Sequence, residues 1–304
     1  MNNGQKTLIA VVVVVVVLLL GVGAYFFADY SEAEPIEYVG TVLQDGAKLG
    51  LVVPAYTYEK GIQDISDLNG NESLFKGKII GIDAGAGIMR ITENDVMPHY
   101  GLDGYELTKS SDAAMMTSLR QAIDAEEDIV VTLWDPHWAF GAYELKYLND
   151  PDKVFGEAES IESWSRPGFS EDEPAAAAVL ANYTYTLEDF SDLLNAIQQN
   201  ESATRAQVVE WWAANNSDLI DEWVGDVEYE EGRGQLTVGL VDWACAQASS
   251  HMIEYILEEY VGYDVTLTMC QAGVMYQGLS QGDIDFITTA WVPLTHASYM
   301  EEYA

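Results

Sequence analysis

The sequence predicts an α/β protein of two lobes, each a mostly parallel sheet with flanking helices, facing one another across a cleft. Three observations predict it. Short apolar, β-branched runs alternate with helical stretches, the pattern of parallel sheets covered by helices. The stretch Ile79 to Trp134 and the stretch Thr237 to Trp291 share one β-α-β-α-β order at nearly the same spacing. Gly81 matches Gly239, Tyr105 matches Tyr263, Asp128 matches Asp285 and Trp134 matches Trp291. Both units close on Trp-x-Pro with a histidine behind it, His137 in the first and His296 in the second.

In chain order, Thr7 to Phe27 is free of charge, and at 1.5 Å per residue it spans the roughly 30 Å apolar core of a bilayer. Lys6 precedes it and Asp29, Glu32 and Glu34 follow, which places residues 1–6 in the cytoplasm and the bulk of the chain outside. Residues 7–27 are expected to be a membrane anchor or uncleaved signal, with cleavage near Ala24 to Ala28 the alternative. Residues 28–36 form an acidic linker. Ala47 to Pro54 is a strand closed by proline, and Ile62 to Leu68 a short helix capped by Asp64 or Ser66. Lys78 to Asp83 is a strand that turns through Gly85 and Gly87 into a helix. Tyr105 to Thr108 is a strand, Asp112 to Ala125 an amphipathic helix and Asp128 to Leu133 a strand running into Trp134.

Phe140 to Leu148 reads as helical and Glu162 to Phe169 as a return strand. A helical region follows over 175–182, 187–199 and 203–223, with Trp211, Trp212 and Trp223 as packing residues. The second unit then runs through the strand Thr237 to Asp242, the helix Gln247 to Tyr260, the strand Tyr263 to Met269, the helix Val274 to Ser280 and the strand Ile284 to Ala290. The implied division is residues 37–57 with 161–304 for one lobe and 58–160 for the other.

Fifty Asp and Glu against 13 Lys and Arg give a formal net charge of -37, which excludes nucleic acid as a partner. So acidic a surface repels itself, reads as adaptation to a salty medium, and is expected to weaken the fold at low salt. Glycines at 85 and 87 let backbone N–H groups approach an anion at a helix start, yet neither GxGxxG nor a Gly-Lys-Ser/Thr loop is present. No nucleotide or other cofactor is expected. Two cysteines without histidine at ligand spacing exclude a zinc site. His137 near Asp135, and Cys245 with His251, carry no catalytic signature, so no enzyme is expected.

Ligands of parallel sheets bind at the C-terminal strand ends, where Trp134, Trp243, Trp291 and the Gly85–Ile88 turn all fall. At such loop mouths the rings are expected to be partly exposed. One tryptophan there is explained by packing; three at equivalent ends are harder to explain so. An aromatic box suits a quaternary ammonium, which has no N–H to donate. The Gly87 and Ile88 backbone and His296 then offer donors for a carboxylate at the ligand's other end.

With these residues in hand, the chain resembles the glycine betaine-binding proteins of ABC-type osmoprotectant importers over essentially all of Glu37–Ala304. The resemblance rests on Gly50-Leu-Val-Val-Pro-Ala-Tyr56, Ile79-Ile-Gly-Ile-Asp-Ala-Gly-Ala-Gly-Ile-Met89, Trp134-Asp-Pro-His-Trp138 and Asp285-Phe-Ile-Thr-Thr-Ala-Trp-Val-Pro-Leu-Thr-His296. It implies a two-lobed, periplasmic-binding-protein-like (type II) fold and a receptor that hands solute to an ABC permease and its ATPase. By position, Trp134, Trp243 and Trp291 form the ammonium box, while Gly87, Ile88 and His296 hold the carboxylate. Choline, carnitine or proline betaine as ligand, or a membrane-tethered sensor role, are the alternatives.

The segment order departs from the family. The unit with Trp243 and Trp291 comes last and the strand that normally follows it comes first, a circular permutation that rejoining Ala304 to Glu37 would undo. Ala84 stands where many relatives have proline, and Ala244-Cys245 follows Trp243 where polar residues are common. Cys245 and Cys270 each lie just past a strand of one lobe, and outside the membrane they are expected either as a disulfide or as two small buried thiols.

Overall fold

The structure, a computed structural model, describes residues 34–200 and 202–304. The expected membrane segment at 7–27 lies outside the described residues, and among those described no helix is long and apolar enough to cross a membrane. Ile36–Ala304 forms one compact unit.

Among the described residues nine strands make two sheets joined through one shared strand, in the order β3-β2-β4-β1-β6-β9-β7-β8 with β5 beside β1. The strands are β1 Glu37–Pro54, β2 Lys78–Ile80, β3 Glu106–Thr108, β4 Val131–Asp135, β5 Leu145–Tyr147, β6 Glu159–Ser165, β7 Gln235–Leu240, β8 Asp264–Met269 and β9 Phe286–Val292. The repeat is plain in the pairing. β2 runs parallel between β3 and β4, and β7 runs parallel between β8 and β9. An antiparallel strand then flanks each trio: β1 sets Leu49 opposite Trp134, and β6 sets Ile161 opposite Trp291. The expected boundary after residue 57 assigns β1 whole to one lobe. The strand in fact serves both sheets, pairing with β6 up to Ala47 and with β4 from Lys48.

The matched glycines of the repeat have a packing reason. A Cβ on Gly81 would lie 2.3 Å from the Met89 sulfur, and one on Gly239 2.9 Å from Ile284. Only a bare backbone lets those apolar side chains lie directly on the strands.

The helices start where side chains can cap them. Ser111 accepts from the Ala114 N–H, Thr186 from that of Asp189, and Thr204 makes a capping box with Gln207. The expected helix over 203–223 is two, Arg205–Asn215 and Ser217–Val224, parted at Asn216. Trp212 and Trp223 are buried as packing residues, but Trp211 is 58% exposed. Neighbours on a helix stand about 100° apart, so one of the Trp211-Trp212 pair must face water. Phe140 to Leu148 is also not a helix. One turn, Ala139–Ala142, leads into β5, which takes the free edge of β1 at Val52–Pro54. Both ends of the compact unit meet, the Ile36 N–H donating to the Tyr303 carbonyl at 2.8 Å.

Candidate functional site

Trp134 lies in β4 and Trp291 in β9, while Trp243 is the residue before the helix Ala244–Ile256 that follows β7. The two sheets bring all three to one small cavity, which Leu49, Ile82, Ala86, Gly87, Ile88 and Thr295 also line. The Trp134 and Trp243 ring centroids are 6.4 Å apart at 59°. The three tryptophans are 3%, 5% and 2% exposed rather than open at loop mouths, because the lobes close over them.

Contacts across the cleft hold that closure. The Trp243 indole N–H donates to Asp83 at 2.8 Å, and the Ala244 N–H donates to Asp112 at 3.0 Å. Arg90 donates to the Leu294 carbonyl at 3.3 Å. Gly87 sits flat against Thr295: a Cβ there would be 2.4 Å from both the Thr295 carbonyl oxygen and its methyl carbon. Glu159, at the start of β6 and buried, accepts from the N–H groups of Leu294 and Thr295 and from the Thr295 hydroxyl, which fixes the loop between Trp291 and His296.

His296 does not line the cavity. It is fully buried beside it, its ring centroid 5.9 Å from that of Trp243. Its Nδ1 accepts from the Trp291 N–H at 3.1 Å and faces the Tyr276 hydroxyl at 2.9 Å, so the ring proton sits on Nε2. Burial holds this imidazole neutral, its pKa lowered to about 3, with Arg90 pushing the same way. Nε2 of His296 and Nε1 of Trp134 and Trp291 are buried donors without a partner among the described residues. A buried donor left so costs about 1–3 kcal/mol, and an acceptor supplied by a bound solute would remove that cost. The Gly87 and Ile88 N–H groups open the helix Gly87–Ile91, whose N-cap Ala86 has no side chain to cap them.

A profile described as the substrate binding domain of ABC-type glycine betaine transport systems (OpuAC) matches residues 20–215 and 234–304. The chain belongs to this family. It is 35% identical over 226 residues to the glycine betaine/carnitine transport binding protein GbuC of Listeria monocytogenes, covering 74% of each chain. Among solved structures it is similar to the glycine betaine/L-proline-binding protein ProX of Borrelia burgdorferi, with 35% identity and a TM-score of 0.57, covering 63% of this chain and 71% of that one. It is also similar to lactococcal OpuAC, closed on glycine betaine, with 33% identity and a TM-score of 0.55, covering 62% of this chain and 71% of that one.

This OpuAC-family chain is therefore a two-lobed, periplasmic-binding-protein-like receptor and not an enzyme. Its partners are a small-molecule ligand and an ABC transporter. His137 does not pair with Asp135; its Nε2 donates to Asp112 at 3.2 Å. His251 is bound to Glu254 rather than to Cys245.

Of the two arrangements expected for the cysteines the disulfide is not formed, since Cys245 and Cys270 are both free thiols. Cys245 is buried in the first turn of its helix, where burial raises its pKa to about 12 with Trp134 and Asp112 as neighbours. Cys270 lines a separate groove with Thr268 and Val274, so no bridge braces the cleft wall. Among the described residues no group of three or more His, Cys, Asp or Glu is disposed to hold a metal ion.

Sequence reasoning passed over Leu49, Ile82, Asp83, Ala86 and Thr295, although each falls in or beside a quoted motif. Asp112 was legible only as a helix start, and Glu159 carried no signal.

Proposed function

We propose that this chain is the extracytoplasmic receptor of an ABC importer and captures glycine betaine or a closely related quaternary ammonium solute. The observation that carries the reading is one small apolar cavity with three indoles from two lobes at its walls. A trimethylammonium group offers no hydrogen to donate, so it is recognised by ring faces, each contributing about 0.5–2 kcal/mol when water is excluded. Trp134, Trp243 and Trp291 take that group.

The Gly87 and Ile88 N–H groups, which line the cavity, take the carboxylate, and His296 Nε2–H beside it is the third donor, reached when the lobes close on a ligand. Choline has no carboxylate and would leave those donors unpaired, at roughly 1–3 kcal/mol each. Carnitine, named with glycine betaine for the Listeria relative, is longer, and Leu49, Ile82 and Ala86 bound the space it would need. Ligand binds with the lobes open and hinge closure traps it. The lobe built on β2, β3 and β4 brings Trp134, Gly87 and Ile88; the lobe built on β7, β8 and β9 brings Trp243, Trp291 and His296. Residues 7–27 anchor the receptor beside its permease and ATPase, and recovery of the full chain in a soluble fraction would count against the anchor.

Calorimetry at high salt with glycine betaine, proline betaine, choline and carnitine tests the reading. Glycine betaine should bind tightest of the four. Trp291→Ala should weaken it at least roughly tenfold, a loss of about 1.4 kcal/mol. Choline binding as tightly as betaine, or an unchanged affinity in the variant, would sink the assignment.

A further inference from the structure

The helix Ala244–Ile256 begins without a cap of its own. Its N-cap residue is Trp243, which has no acceptor to offer, yet a helix start leaves backbone N–H groups unpaired. The acceptor comes from across the cleft. Asp112, buried in the first turn of the helix Asp112–Asp124, takes the Ala244 N–H on its Oδ2 at 3.0 Å. The carboxylate thus stands at two helix starts at once, where both positive dipole ends favour it.

His137 fixes its orientation. That ring accepts from the Ala139 N–H on Nδ1 at 3.1 Å, which leaves the Nε2 proton for Asp112. The same ring packs edge-on against Trp134 at 4.9 Å. One carboxylate therefore connects the backbone behind Trp243 to the histidine that braces Trp134.

We propose that Asp112 is a positioning residue for the ammonium box: as a cap supplied by the opposite lobe, it sets Trp243 against Trp134 only when the lobes are closed. With the cleft open, Ala244 loses its acceptor and Trp243 its reference point, so closure and assembly of the box become one event. The inference rests on reading the cavity as a quaternary ammonium site.

Calorimetry and thermal melting of wild type, Asp112→Ala and Asp112→Asn test it. Asp112→Ala should weaken glycine betaine and choline by the same factor, about tenfold, because the box serves both. The melting temperature without ligand should fall no further than in a His137→Ala control, which removes the same bond within the lobe, since the Ala244 contact belongs to the closed form. Asp112→Asn keeps one acceptor oxygen for two donors and should recover part of the affinity. Unchanged affinities in Asp112→Ala, or an unliganded melting temperature well below that of His137→Ala, would overturn the proposal. A wild-type chain that takes up neither solute would overturn the cavity reading, and that is seen before any variant is compared.

Discussion

His296 shows what burial does to a single side chain here. The imidazole stays neutral well below ordinary pH because water cannot reach it and Arg90 is near, so Nε2–H remains a donor across pH 5 to 8. Its Nδ1 meanwhile braces the backbone of Trp291. The two roles separate by ligand. His296→Ala should weaken glycine betaine by roughly tenfold or more, the worth of a hydrogen bond to a charged group, and choline clearly less. The gap between the two should hold from pH 5 to pH 8 in a binding titration. Equal losses for both ligands would mean that His296 only supports Trp291. His296 was legible from its distance to Trp291 in the sequence, but its place behind the cavity wall was not, because that depends on Tyr276 and Arg90 arriving from other elements.

Between elements, the decisive contact is the helix Gly87–Ile91 lying on the loop after β9. Both glycines of the Gly85-Ala-Gly87 turn look alike in the sequence, yet the structure distinguishes them. A Cβ on Gly85 meets only the Asp83 carboxylate at 3.5 Å, whereas one on Gly87 strikes the Thr295 backbone oxygen at 2.4 Å. Gly87→Ala should therefore prevent full closure and weaken glycine betaine at least tenfold, while Gly85→Ala should bind within about twofold of wild type. Calorimetry on the pair checks this, and like behaviour of the two variants would remove Gly87 from the closing surface. Strand and helix positions followed from apolar period and turn residues, as at Leu187–Gln199. They failed at Leu145–Tyr147, where a free edge on β1 outweighed a helix-like pattern.

At the scale of the whole molecule, β1 and β6 are the equivalent crossing strands of two repeats. The first unit, β2-β3-β4, is flanked by β1, which comes first in the chain, and the second, β7-β8-β9, is flanked by β6, which comes after the first unit and before the second. We read this as a circular permutation, and the hydrogen bond from Ile36 to Tyr303 supports it by bringing the ends together. A chain joined from residue 304 to residue 37 and opened in the exposed loop 226–231 should melt near the same temperature and bind glycine betaine within about twofold of the original. A rejoined chain that folds but does not bind would show that the present order matters to the site.

What the sequence determined by itself is local or repeated: the α/β alternation, the doubled unit, the three strand-end tryptophans and the motifs that mark the family. Such features follow from side-chain period and spacing, which any stretch of chain carries with it. The tertiary structure alone decided that Asp112 caps a helix 132 residues away, that Gly87 presses on Thr295, that Cys245 and Cys270 stay apart and that Trp211 faces water. The first two depend on the angle at which two sheets meet and the last two on what packs beside one helix or strand end, and no run of neighbouring residues encodes either.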